Sequence, residues 1–79
     1  MTGDGGADSF RVEQARTNER AQQLVGMAVD AATSLTAEWG CRVRITREDQ
    51  ESFILTMDLS SRRINVEVEH GLIVTAAAF

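Results

Sequence analysis

The sequence holds one cysteine, one histidine, no proline and no lysine. Cys41, being alone, cannot close an internal disulfide, so packing must hold the fold. His70, also alone and set beside Gly71 in a turn-like pair, leaves a nucleophile without the base and orienting acid that catalysis requires. A metal site from His70, Glu67 and Glu69 fails similarly, because neighbours on a strand point to opposite faces and there is no second histidine. Gly3, Gly5 and Gly6 precede no strand-to-helix unit and so form no phosphate cradle. The chain therefore reads as non-enzymatic, with no cofactor and no metal.

Long apolar runs and excess positive charge are missing too. Residues 1–9 are Gly- and Asp-rich, with neither the basic nor the apolar stretch of a signal peptide or membrane anchor. As it stands the chain reads as intracellular, with no membrane partner. Eight arginines face twelve acidic residues, for a net charge of -4. Phosphate binding needs a basic face, so nucleic acid is not expected as a partner.

What is present suits one globular domain. With 79 residues, 43% of them hydrophobic and 25% charged, the chain can bury a single core of modest stability. Arginine forms planar donor forks that lysine cannot, so an all-Arg set is compatible with fixed polar networks, although coding bias accounts for it as well.

Residues 1–9 read as a flexible tail, 10–23 as a charged helical extension with few apolar positions, and 24–79 as the main domain. From Ala21 the apolar residues Ala21, Val25, Ala28, Ala32, Leu35 and Trp39 follow the alternating steps of one helix face, and Gly40 supplies a left-handed stop. A period of two then begins. Cys41, Val43 and Ile45 alternate with Arg42 and Arg44, which makes Cys41 a small buried residue rather than a reactive thiol. Glu48–Ser52 reads as a polar break. Ile64, Val66 and Val68 form the clearest strand and turn Arg63 and Asn65 together to its other face. After a His70–Gly71 turn, Leu72–Thr75 is β-prone, and Ala76–Phe79 can pack or fray.

The segment between these strands is ambiguous by pattern. Phe53, Leu55, Met57 and Leu59 alternate with Ile54, Thr56 and Asp58, as in a half-buried strand. Ser60, Ser61 and Arg62 would then be a hairpin turn, and the sheet an antiparallel meander. On these residues alone the strand is the favoured reading, and an exposed loop is the alternative.

Taken in order, Leu24-Val25-Gly26, the following helix, Gly40–Ile45, Thr56-Met57-Asp58, Arg63–Val68 and Gly71-Leu72-Ile73 resemble the potato inhibitor I superfamily, most closely its bacterial serine protease inhibitor branch. The resemblance spans about residues 24–75. It implies an α+β fold, with one main helix packed on a small mixed sheet and an exposed loop between roughly parallel strands that enters a protease cleft like a substrate.

By position, Met57 would fill the specificity pocket and Met57–Asp58 would be the scissile bond. Leu55 and Thr56 would precede it, Leu59 and Ser60 would follow it, and Arg63 and Asn65 would support the loop from beneath. An unbranched apolar Met57 suits a serine protease of chymotrypsin-like or subtilisin-like specificity, whereas a trypsin-like pocket would want Arg or Lys.

The departures are specific. Arg47–Phe53 is longer than the family's short Pro-Gly approach and lacks both residues. Ala28 stands where a capping Ser or Thr is common. Asn65 replaces the second arginine of many plant and leech members, as in the bacterial branch, and a single Cys rules out the disulfide that branch often carries. The alternative is a non-inhibitory module of the same fold that binds a partner through Glu48–Phe53 or forms a homodimer through residues 10–23.

Overall fold

A computed structural model of the chain describes residues 5–53, 55 and 58–79. The run of Arg, Gln, Glu and Ala favours a helix, and α1 spans Gly5–Ala21, thereby taking in part of the expected tail. Thr17 and Ala21, four residues apart and so on one face, are buried where α1 packs on the sheet.

The continuous helix expected from Ala21 to Trp39 is broken. A 3-10 turn at Gln22–Leu24 buries Leu24, after which Gly26 adopts a φ of 93°. Here the backbone leaves the helix to pair with a strand. Gly26 N–H donates to the Ile73 carbonyl at 2.7 Å, Ile73 N–H donates to the Met27 carbonyl at 2.9 Å, and Ala28 bridges Leu72. Apolar spacing cannot signal this break, because it runs unchanged across it. The glycine permits the conformation, and the backbone groups of an edge strand require partners. Val25 is consequently 47% exposed, and Ala28 is exposed as well.

The second helix, α2 (Val29–Glu38), buries Ala32 and Thr36, with Leu35 and Trp39 half-buried. Its N-cap Ala28 makes no side-chain cap, having no acceptor to offer. Gly40 ends it as expected, with a φ of 73°. Gly40 N–H donates to Ala37 O at 3.1 Å and Cys41 N–H to Thr36 O at 2.9 Å, a Schellman closure.

Four strands follow: β1 (Arg42–Glu48), β2 (Glu51–Ser52), β3 (Arg63–Glu69) and β4 (Leu72–Ala78), in the order β2-β1-β3-β4. β1 and β3 are parallel, while the other two pairings are antiparallel. The fold is thus α+β on a mixed sheet, and the antiparallel meander is excluded. β1 runs on to Glu48 and turns through Asp49 and Gln50 into β2, so a hairpin replaces the expected polar break. His70 and Gly71 both have positive φ, as a type I′ hairpin turn requires, and β4 continues to Ala78 instead of fraying.

The β1–β3 register shifts between Ile45 and Arg47, leaving Thr46 as an extra residue. That bulge brings Arg47 opposite Glu67, where it reaches Glu67 at 3.4 Å and Glu69 at 2.9 Å. The core lies between the helices and the sheet and contains Leu24, Ala32, Cys41, Ile64, Val66, Val68 and Ile73. Cys41 is a buried free thiol.

α1 also covers the outer edge of β4. The Asn18 side-chain oxygen accepts from Ala78 N–H at 3.0 Å, and the Gln22 amide donates to Ala76 O at 2.8 Å. Together with the Gly26–Ala28 segment, these side chains occupy backbone groups that a further strand would otherwise pair with.

Candidate protease-binding loop and its anchors

β2 and β3 are joined by residues 53–62, and none of the described residues among them lies in a strand. Phe53, Leu55 and Leu59 are exposed, Leu59 to 68%, where a half-buried strand would have turned them inward. Asp58 is exposed and Ser60 half-buried. Thr56 and Met57, the expected centre of the site, lie outside the described residues, as does Ile54.

The best-defined anchor is Arg63, only 6% exposed although it is the first residue of β3. One guanidinium nitrogen, Nη1, donates to Asp58 Oδ2 at 3.0 Å. The other, Nη2, donates to the Asp58 carbonyl at 3.0 Å and to the Phe79 carbonyl at 2.7 Å. A planar fork thus holds the side chain and backbone of one loop residue and ties both to the end of β4. Its Nε is buried without a hydrogen-bond partner among the described residues.

Asn65 lies beside Arg63 in the same buried polar layer. It is 3% exposed, accepts from Arg44 Nε at 2.6 Å, and donates to the Phe79 carbonyl at 3.4 Å. Among the described residues, then, the partners of Asn65 are Arg44 and Phe79. Parallel register explains this, since Arg44 lies directly opposite Asn65 on the same face. Alternation marked Arg44 as facing away from Val43 and Ile45, but its partner depends on a pairing that local pattern does not specify.

A further anchor comes from α1. Glu13 Oε1 accepts from the Ser61 hydroxyl, and Glu13 Oε2 accepts from Arg62 Nε at 3.0 Å and Nη2 at 2.9 Å. These bonds, the Ser61 hydroxyl first and then Arg62, hold the Glu13 carboxyl below its ordinary pKa, and Glu13 raises that of Arg62. Sequence reasoning missed this contact. Glu13 lies in the charged extension, 48 residues from Ser61, and no motif links them.

The approach to the loop is fixed by Phe53 N–H donating to Thr46 O at 3.0 Å. His70 is remote from these anchors in the β3–β4 turn, where its N–H donates to Asp49 Oδ1 at 2.9 Å. Among the described residues no group of three or more His, Cys, Asp or Glu could hold a metal ion, and no helix is long and apolar enough to cross a membrane. No family model, curated protein or solved structure matches the chain.

Proposed function

We propose that this protein is a serine protease inhibitor acting through Leu55–Ser60 as a substrate-like loop, with Met57 in the specificity pocket and Met57–Asp58 as the scissile bond. The observation that carries this reading is the double grip of Arg63 on Asp58. Both bonds fall on the leaving-group side of the proposed bond. If a protease cuts there, the new amino group of Asp58 stays tethered beside the acyl-enzyme and can re-form the peptide rather than diffuse away. Ordering the loop before encounter also lowers the entropic cost of binding.

Exposed Leu55 and Leu59 on either side of the bond support contact with apolar subsites flanking the pocket. The parallel pairing of β1 and β3, with none of the described residues of 53–62 in a strand, supports the same reading.

Titration against subtilisin and chymotrypsin tests it: stoichiometric inhibition is expected, with trypsin little affected and Met57→Gly strongly weakened. Rapid, complete cleavage without inhibition would overturn the reading. Binding to a protease without blocking its turnover would instead favour an interaction module that uses the exposed Phe53, Leu55 and Leu59.

A further inference from the structure

We propose that Glu13 is a positioning residue for the loop, through which α1 fixes the return limb, Ser60–Arg62, next to Arg63. This rests on the inhibitor reading for its consequence, though not for its geometry. An exposed ion pair would by itself contribute little, and the Arg62 side chain is 65% exposed. The arrangement here is more constrained than a pair.

Both carboxylate oxygens of Glu13 are engaged, and they hold two consecutive residues that lead directly into Arg63. Arg62 is also fixed through its backbone, because its carbonyl accepts from Arg42 N–H at 2.9 Å. The Arg62 N–H in turn donates to Ser60 Oγ at 3.3 Å, so the limb is bonded within itself as well.

The platform carrying Glu13 is itself anchored. Thr17 and Ala21 are buried beneath α1, and Asn18 and Gln22 bond the edge of β4. Glu13 therefore connects a helix seated on one edge of the sheet to the root of the loop. Arg63 holds Asp58 five positions before itself, and Glu13 sets the direction in which the chain between them enters β3.

The test compares wild type, Glu13→Ala and Glu13→Gln by amide hydrogen exchange and by protease titration. Glu13→Ala should speed exchange about tenfold at the Arg62 amide, which donates to Ser60 Oγ, and at the Arg42 amide, which donates to the Arg62 carbonyl, the opening expected when an anchoring bond set of this kind is lost. Amides of Thr17–Ala21 and Val66–Glu69 should not change, which shows that α1 and the sheet remain folded. Glutamine keeps one acceptor oxygen where Glu13 uses two, and should restore part of the protection.

With protease, Glu13→Ala should raise the inhibition constant and the rate of loop cleavage by a similar factor. Unchanged exchange at the Arg42 and Arg62 amides in Glu13→Ala overturns the proposal. So does an unchanged cleavage rate in a variant whose return limb has loosened. Failure of wild type to inhibit either protease, with the exchange effect present, overturns the inhibitor reading and leaves the anchor standing.

Discussion

Replacing Arg63 with alanine tests the loop architecture most directly, because one guanidinium carries every described bond between β3 and Asp58. Asp58 has a side chain 61% exposed, so its ionic contact belongs at the low end, about 0.5–1 kcal/mol. The bond from the cation to the Asp58 carbonyl is worth about 1.5 kcal/mol. Together, loss of these two contacts removes about 2 kcal/mol of loop ordering, which under the proposed inhibitor function corresponds to inhibition weakened about 30-fold.

The effect on global stability differs. The bond to Phe79 O is lost too, at a cost of about 1.5 kcal/mol. Removing a buried cation whose Nε has no partner among the described residues offsets about 1–3 kcal/mol. The net change in urea denaturation should therefore be smaller than the sum of the three bonds. Inhibition constants, cleavage rates and urea midpoints for wild type, Arg63→Ala and Arg63→Lys give the answer. Lysine keeps the charge but lacks the planar fork, so it should resemble alanine in inhibition. An Arg63→Ala variant with a lowered midpoint but unchanged inhibition and cleavage would refute the reasoning, making Arg63 a scaffold residue only.

Three further outcomes follow from other parts of the molecule. Asn18→Ala and Gln22→Ala should each cost about 1 kcal/mol by urea denaturation, and sedimentation of the double variant should show concentration-dependent association through the uncovered β4 edge. Gly26→Ala should cost about 1–2 kcal/mol from its φ of 93° alone, since an added Cβ meets nothing within 4 Å; an unchanged thermal midpoint would contradict this. Glu13, flanked by Ser61, Arg62 and Arg16, has its folded pKa lowered, so its contribution is present above the ordinary glutamate pKa and is lost as pH falls through the lowered value. A carboxyl titration followed by NMR should place its midpoint below that of a free glutamate, with the Ser61 and Arg62 signals moving together with it.

Alternation made β1 and β3 legible from Val43, Ile45, Ile64, Val66 and Val68, and Gly40 marked the end of α2. Each of these signals is local. The break at Gly26 was not legible, because Val25 and Ala28 keep helical spacing although the backbone there pairs with Ile73. Local pattern also favoured a strand over a loop at residues 53–59; the exposure of Leu55 and Leu59 decides against it for the described residues. Parallel register, the bulge at Thr46 and the reach of Glu13 all join distant segments, and single-sequence periodicity carries no term for such pairings. Asn65 shows the limit within the candidate site itself. Its face was legible, while its partner was not.

The connection between β2 and β3 has a length that its end points do not demand. Ser52 pairs with Arg47 towards one end of β1, and Arg63 pairs with Arg42 at the other. Five residues of strand and two strand spacings separate those points by about 20 Å. The eleven steps from Ser52 to Arg63 can reach about 36 Å when extended. Tautness therefore contributes nothing to the shape of this segment. An insertion between Ser52 and Asp58 would leave both the Arg63 and Glu13 bonds intact, whereas one between Asp58 and Ser61 would separate Asp58 from its fork. Length variation should be tolerated between Ser52 and Leu55, ahead of the proposed binding loop, and not between Asp58 and Ser61, which makes the approach limb the place to graft new recognition segments.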